Sequence, residues 1–415
     1  MAEPTVDLVR RAIQNMKTSA DAAYFFDRLK SPAWIKPLLE VGMFTAPPEP
    51  KRQGDYIQLE PWPQSRYLAR MAPEAPDEVA QVIASLPETE NGRVLVDLAD
   101  ALVRMPPEKA ITLLEPAIRW LERPYLLLVP DRLSKLVVRL AESSQLEGAL
   151  SLTAALLRLE PGQVPSVDGV ELDLPTRARA LIDDFEYQRI VGEVLPALIP
   201  AGGLRTLDLL CDLLASAIQL SRFSESEETD FSYLWRKTIE PSDQNLSHEP
   251  RETLVDAVRD GSQTLVLAHP DLMEPLISRL DDRSAVFRRI ALHVLRLEAP
   301  AASELVTRRL LDIELLYGID FYHEYWLILH DRFHDLTVDE RATLFELIAL
   351  GPTVYREGEF SEAERTLRIE VWQWRVLAAI KDELPPEWAE RYHILTAERG
   401  EPEHPDLLSY TSSGW

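Results

Sequence analysis

The sequence predicts an all-α fold in which helical hairpins stack side by side as an α-solenoid. Apolar residues recur with helical spacing in nearly every segment after residue 66. The chain also contains 31 prolines. A proline inside a helix removes a backbone hydrogen bond and clashes with the preceding turn, so most of these prolines are expected at helix starts and in loops. Amphipathic helices separated at short intervals by proline or glycine are typical of helical-repeat proteins.

The clearest repeat is the stretch 281–316, which is predicted to form two helices separated at Pro300. Each predicted helix has one apolar face. In the first helix this face comprises Val286, Phe287, Ile290, Ala291, Val294 and Leu297, and in the second Leu305, Val306, Leu310, Ile313 and Leu316. The pattern resembles a HEAT-type hairpin, which buries its apolar face only when similar hairpins stack on both sides of it. The predicted fold is therefore a HEAT-like α-solenoid of stacked helical hairpins.

The other elements follow from the same periodicity. Residues 1–66 are predicted to form an N-terminal helical cap, with helices at 5–16, 20–29 and 32–41 and then a proline-rich extended connection. Residues 67–220 are predicted to form a helical-repeat domain with helices at 77–86, 93–103, 107–121, 125–141, 145–159, 176–198 and 204–220. Residues 251–415 are predicted to form C-terminal HEAT-like repeats, with further helices at 319–334, 338–350, 361–381 and 386–398.

Residues 221–250 interrupt this pattern and are predicted to be an acidic polar insertion or linker at the boundary between two halves. Three aromatic residues, Phe231, Tyr233 and Trp235, stand within this polar stretch. Two interpretations remain open. The segment is either a solvated insertion, and then the most protease-sensitive interior part of the chain, or a docking element whose aromatic side chains anchor a partner.

The chain is strongly acidic, with 44 Lys and Arg against 69 Asp and Glu and a formal net charge of −25. This balance argues against a protein whose whole surface binds nucleic acid or anionic lipid. The single cysteine, Cys211, lies in an apolar run, which predicts a buried, unreactive thiol and a reducing, cytoplasmic location. Since no apolar run approaches the roughly 18 residues of a membrane span, no contact with a membrane is expected.

A basic strip is the exception to this acidity. Between residues 279 and 310, seven arginines stand against four acidic residues. Arg288, Arg289 and Arg296 fall opposite the apolar face of their predicted helix, and Arg308 and Arg309 extend the strip. We expect these side chains to bind an acidic protein segment or, less readily, nucleic acid, so that reversing the first three charges costs only about 0.5 kcal/mol of stability. The alternative is a solvated ridge whose arginines form ordinary intramolecular salt bridges with neighbouring acidic residues.

Catalytic motifs are not evident in the sequence. There is no Gly-Lys pair, which excludes a P-loop. His323, His330 and His334 fall within one helical arc, but the helical rise of 1.5 Å per residue places His323 about 10 Å from His330, too far to share a metal ion. We therefore predict no metal site, no cofactor and no enzymatic activity.

Both ends of the chain resemble a known class of proteins. The motifs are SPAWIKPLLEVGMFTAPPEP at 31–50 and PWPQSRYLARMA at 61–72, then FHDLTVDERATLFELIALGP at 333–352 and the stretch 368–415, which begins RIEVWQWRVLAAIKDELPP. They resemble helical-repeat regions of large bacterial proteins of anti-phage conflict systems, many of which carry nuclease or STAND-type NTPase modules. The resemblance implies a region that senses or binds a trigger, or that scaffolds an effector.

The sequence therefore predicts a non-enzymatic scaffold, sensor or regulator that binds a partner protein in a bacterial defence system. One alternative is a regulator that sequesters its partner until proteolytic cleavage, for which 221–250 is the natural cut site. An alternative of a different class is a hydrolase or nuclease with an unrecognised site.

Overall fold

The computed structural model describes residues 4–54, 56–162, 166–167, 170–171, 177–221, 230–245, 247, 249–301, 303–357 and 359–408. Helices make up 71% of the structure and strands 3%, which confirms the predicted mainly helical class. The chain divides into two compact units, the first formed by residues 1–160 and 179–209 and the second by residues 161–178 and 210–415. Within these described ranges, no helix is both long and apolar enough to cross a membrane.

The first unit is a series of short helices. They are α1 Val6–Asn15, α2 Ser19–Arg28, α3 Ile35–Glu40, α4 Pro63–Met71, α5 Pro76–Ser85, α6 Gly92–Arg104, α7 Pro107–Ala110, α8 Leu114–Trp120, α9 Val129–Glu142, α10 Leu146–Leu156 and α11 Asp184–Gly202. Several begin at sites that the sequence marks. Thr18 and Asp21 form a capping box at the start of α2, and prolines occupy the first positions of α4, α5 and α7.

Alternate helices of the first unit pack on one another in chain order. Helix α2 contacts α4, α4 contacts α6, α6 contacts α9, and α9 contacts α11. The helices between them form a second series, in which α3 contacts α5, α5 contacts α7, and α8 contacts α10. Leu98 and Leu102 of α6 and Leu133 and Leu136 of α9 are buried. The apolar faces of α6 and α9 are thus covered by their neighbours in the series.

Short strands accompany these helices. They are β1 Lys51–Gln53, β2 Tyr56–Gln58, β3 Leu159–Pro161, β4 Ser166–Val167, β5 Val170–Glu171 and β6 Ala178–Ala180. β1 pairs with β2, and β4 pairs with β5, both antiparallel. Helix α12, Leu204–Leu220, contains Cys211, whose predicted burial is confirmed.

The second unit is also helical. Its helices are α13 Ser232–Trp235, α14 Pro250–Ala268, α15 Met273–Asp281, α16 Ala285–Glu298, α17 Glu304–Leu310, α18 Ile313–Tyr317, α19 Tyr322–Arg332, α20 Val338–Leu350, α21 Thr353–Glu357, α22 Glu362–Leu377 and α23 Pro386–Arg399. Helix α16 packs between α14 and α19, and α19 contacts the 3₁₀ segment Ala378–Glu383 that follows α22. Phe287, Ile290 and Val294 of α16 are buried in this core.

The first helix of the hairpin predicted at 281–316 is confirmed except for the burial of Leu297, and the second half of the hairpin is corrected. A break at Pro300 separates α16 from α17 as expected. The second helix then ends at Leu310, and Asp312 starts α18 by accepting hydrogen bonds from the backbone N–H groups of the next turn. Leu297 and Ile313, both predicted to face the core, are exposed. The extra break rotates the chain, so one continuous helical wheel does not describe this half.

The helix predicted at 176–198 also starts later than expected. Residues 178–180 form β6, and α11 begins only after Asp183, whose Oδ1 accepts a hydrogen bond from Glu186 N at 2.8 Å. Pro196 and Pro200 lie inside α11. The expectation that prolines avoid helix interiors therefore fails in this helix.

Candidate functional site

The basic strip is not the exposed surface that the sequence predicts. Arg289 is 1% exposed. Its Nε donates to Glu324 Oε2 at 2.7 Å, and its Nη2 donates to Glu324 Oε1 at 3.0 Å and to the Lys237 carbonyl at 3.1 Å. Burial raises the pKa of Glu324, but the charges of Arg289 and His323, together with the hydrogen bonds from Arg289 and from the Ile239 N–H, hold the pKa below its usual value. The placement of Arg289 on a partner-facing side is wrong, because that side of α16 is covered by residues 237–239 and α19.

The other arginines of the strip also have partners within the chain. Arg288 pairs with Glu314 at 2.5 Å and stacks over the Phe321 ring, and Arg296 pairs with Glu240 at 2.8 Å. Arg309 pairs with Asp281. Arg308 is 61% exposed and lies 3.8 Å from Glu274. The alternative of intramolecular salt bridges therefore describes this strip, and of its five predicted binding residues only Arg308 is largely exposed.

The described part of the segment 221–250 is not a solvated insertion; residues 222–229, 246 and 248 lie outside the described residues. Arg236 is buried, and its guanidinium donates to Glu252 at 3.0 Å and to Asp256 at 2.6 Å. Ile239 is fully buried, and its N–H donates to Glu324 at 2.9 Å. This stretch therefore belongs to the core of the second unit, which its acidic composition did not indicate.

The aromatic residues of that segment are partly engaged in the fold. Trp235 Nε1 donates to the Asp230 carbonyl at 2.8 Å, and Arg251 lies 3.9 Å over the Trp235 ring. Phe231 is exposed and has a positive φ of 46°. Tyr233 is half-buried. Trp235 thus already has contacts on its ring and on its nitrogen.

The three histidines of α19 and its extension point to separate partners. His323 Nδ1 lies 3.1 Å from the Asp406 carbonyl, and His330 Nδ1 lies 2.7 Å from the Ala379 carbonyl. His334 Nε2 lies 3.5 Å from Asp335 Oδ1. Throughout the described residues, no group of three or more His, Cys, Asp or Glu side chains is placed to hold a metal ion.

An apolar groove of about 890 Å³, which the sequence did not predict, opens on the second unit. Helix α22 lines it with Leu367, Val371 and Trp372. The end of α18, the start of α19 and part of α21 also contribute lining residues. The remaining lining residues are Leu316, Tyr317, Gly318, Ile319, Tyr322, Pro352, Val354, Tyr355, Glu364, Arg368, Arg375 and Leu408.

The groove leaves large apolar side chains in contact with solvent. Ile319 is 54% exposed, Val354 63% and Leu367 52%. The sequence signal was the run RIEVWQWRVL of α22, whose apolar residues are too many for one buried face. Because Trp372 and Val376 are buried while Leu367 and Val371 are exposed, the apolar surface of α22 extends beyond the core and into the groove. Apolar surface gathered in one concave place is typical of binding sites.

Polar groups in the groove are few and held in place. Arg368 lies 4.3 Å over the Phe360 ring, and Arg375 lies 5.4 Å over the Tyr322 ring. Arg375 also donates to the carbonyls of His404 and Leu407. Glu364, which also lines the groove, interacts electrostatically with Arg368. The groove thus combines an apolar floor with two cations and one carboxylate.

A strap, residues 400–408, forms one edge of the groove. Tyr322 Oη donates to the Pro405 carbonyl at 2.5 Å, and Trp374 Nε1 donates to the Gly400 carbonyl at 3.1 Å. Leu407 is buried, whereas Leu408 is exposed and lines the groove. The strap is therefore held to α19 and α22 through its backbone carbonyls.

Comparison of the chain with protein families, with curated proteins and with solved structures finds no match.

Proposed function

We propose that this chain is a non-enzymatic helical-repeat scaffold that binds a partner protein, and that the partner's binding segment occupies the groove of the second unit. The observation that carries the proposal is the apolar groove of about 890 Å³, in which several large exposed side chains are gathered in one concave place. Covering Ile319, Val354 and Leu367 would remove apolar surface from water, which is the main driving force of protein association.

The packing order of the helices supports the scaffold part of the proposal. In the first unit, alternate helices contact one another in chain order in two series. The second unit contains a similar order from α14 to α16 and from α16 to α19. Helices that contact only near neighbours along the chain are the arrangement expected of a HEAT-like solenoid. Solenoids commonly act by offering an extended surface to other proteins.

The groove favours an amphipathic partner helix with acidic residues at the edges of its apolar face. Arg368 and Arg375 are seven residues apart on α22, or about 10 Å along its axis. Two carboxylates spaced two turns apart on a partner helix match that distance, and its apolar face would meet Leu367 and Val371. Helices that lay an apolar face into such a groove are a recurring mode of recognition.

We further propose that this partner belongs to a bacterial defence system, which rests on the resemblance of residues 31–72 and 333–415 alone. The alternative of a regulator released by cleavage at 221–250 loses support in residues 230–245, because Arg236 and Ile239 are buried there. A protease needs several exposed, extended residues, and a buried backbone does not offer them.

Replacing Leu367 by glutamate tests the groove directly. The charge would stand on the groove floor, so we expect capture of the partner from the native host to fall at least tenfold relative to wild type. Leu267 on α14 is also exposed but does not line the groove, so Leu267→Glu is the matched control and should capture normally. A photo-cross-linking residue at position 367 should form its adduct with the same partner. Undiminished capture by Leu367→Glu, with both variants melting like wild type, would refute the groove as the binding site.

A further inference from the structure

A small cavity of about 20 Å³ lies next to the groove in the second unit. Arg289, Asp320 and His323 line it together with Tyr233, Lys237, Ile319, Leu407 and Leu408. Ile319 and Leu408 also line the groove. These two side chains therefore lie between the cavity and the groove and line both.

Three buried polar atoms of these residues have no hydrogen-bond partner within the described chain. They are Arg289 Nη1, Asp320 Oδ1 and His323 Nε2. Arg289 is almost wholly buried, and so is His323. The Glu240 carboxylate lies 3.9 Å from His323 Nε2, too far for a hydrogen bond. Because buried polar groups are nearly always paired with protein or with ordered water, three unpaired atoms around one cavity indicate a ligand.

The chemistry of the three atoms specifies that ligand. Arg289 Nη1 donates a hydrogen bond, and Asp320 Oδ1 accepts one. His323 Nδ1 faces two oxygens of Asp406, the carbonyl at 3.1 Å and Oδ2 at 3.4 Å, so Nδ1 carries a proton. Burial lowers the pKa of His323, but its hydrogen bond to Asp406 and the charge of Glu324 hold the pKa above its usual value, so Nε2 donates in the protonated ring and accepts in the neutral ring. A water molecule satisfies all three atoms in either state, because it accepts from Arg289, donates to Asp320 and can either accept from or donate to Nε2. An anion cannot donate to Asp320.

The size of the cavity agrees with that chemistry. A water molecule needs about 10 to 15 Å³ of probe-occupied volume, which a cavity of about 20 Å³ provides. An organic ligand does not fit in this space. A metal ion is disfavoured because the Arg289 guanidinium would face it.

We propose that this cavity binds one water molecule, which bridges Arg289, Asp320 and His323. The water joins the start of α19, through His323, and the turn before it, through Asp320, to the buried Arg289–Glu324 pair. His323 in turn contacts Asp406 of the strap. The bound water therefore helps to hold Ile319 and the strap at one edge of the groove. Only this effect on the edge of the groove rests on the proposed function of the groove. The binding of the water molecule does not.

A crystal structure of the wild-type protein at a resolution that shows ordered water tests the site. We expect one peak within hydrogen-bond distance of Arg289 Nη1, Asp320 Oδ1 and His323 Nε2. An empty cavity would overturn the proposal. A crystal soaked in bromide provides the second arm, because an anomalous peak at this position would identify an anion site instead of a water site.

Two substitutions of Asp320 test the bridge in solution. Asp320→Asn keeps an oxygen that accepts from water, whereas Asp320→Leu has no acceptor. We expect amide exchange of residues 400–408 to be at least fivefold faster in Asp320→Leu than in wild type and nearly unchanged in Asp320→Asn. Equal exchange in the two variants would contradict the bridge. Because this readout needs no partner, its failure is distinct from failure of the Leu367→Glu experiment.

Discussion

Two regions of the second unit carry arginines, and they differ in what surrounds the charge. On α16, Arg289 forms two hydrogen bonds with a buried carboxylate, and Arg296 pairs with Glu240. On α22, Arg368 and Arg375 lie over aromatic rings beside exposed apolar side chains. The strip with more charge is thus paired within the fold, while the groove with less charge is the surface that we propose for a partner. Local charge density in a sequence does not separate these two roles, because the acidic residues that neutralise the strip come from distant positions.

Substitution of Arg289 is the strongest test of the difference between the arginines of α16 and those of α22. Arg289→Met leaves Glu324 buried without its cation, and removal of one member of a buried pair costs about 3–5 kcal/mol. We expect the free energy of unfolding, measured in urea, to fall by that amount. This reverses the sequence-based expectation of about 0.5 kcal/mol for changes at these arginines.

Arg308→Met is the matched control for that measurement. The Arg308 side chain is 61% exposed, so its loss is expected to change stability by no more than about 0.5 kcal/mol. Adding Glu324→Leu to Arg289→Met should recover part of the lost stability, because the buried charge is then removed as well. Equal losses of unfolding free energy in Arg289→Met and Arg308→Met would show that the buried Arg289–Glu324 pair is no more important for stability than an exposed arginine.

The pH dependence of stability is a second test of the buried polar side chains of α16. His293 is buried on α16, and burial lowers its pKa to about 4. The unfolded chain takes up a proton near pH 6.5 while the folded chain keeps this ring neutral, so His293 destabilises the fold as pH falls from about 6.5 to about 4. The full effect is about 3 kcal/mol, since each pKa unit corresponds to about 1.4 kcal/mol.

His293→Gln removes this titration. We expect the difference in unfolding free energy between the variant and wild type to shift in favour of the variant between pH 7.5 and pH 4.5. Chemical denaturation at the two pH values measures it. A difference that is the same at both values would show that His293 is not held neutral by burial.

The smallest expected effect concerns the groove cations. Arg368→Glu places like charge against the acidic residues of the proposed partner, and we expect the affinity to fall about tenfold, or about 1.4 kcal/mol. Arg308→Glu in the strip should leave the affinity unchanged. Titration calorimetry with the cross-linked partner, once purified, measures both. If Arg308→Glu loses more affinity than Arg368→Glu, the partner binds the strip instead of the groove.

The sequence by itself determined the class of fold and the positions of several helix boundaries. Proline and capping residues act locally, through a missing N–H or a hydrogen bond to the next turn, so the start of α5 and the break after α16 could be predicted. The burial of Cys211 and of Phe287 followed from apolar periodicity, which also reflects local spacing.

Only the tertiary structure decided which polar residues are buried. The wheel of α16 placed Arg289 opposite the apolar face, but residues 237–239 and Glu324, which are far away in sequence, cover that side. The groove beside α22 likewise depends on how α18, α19 and α21 are placed around Leu367 and Val371. The spacing of apolar residues in a helix shows which side of that helix faces one core. It does not show whether distant segments of the chain pack against the opposite side. For this reason the strip was mistaken for a binding surface and the groove was missed.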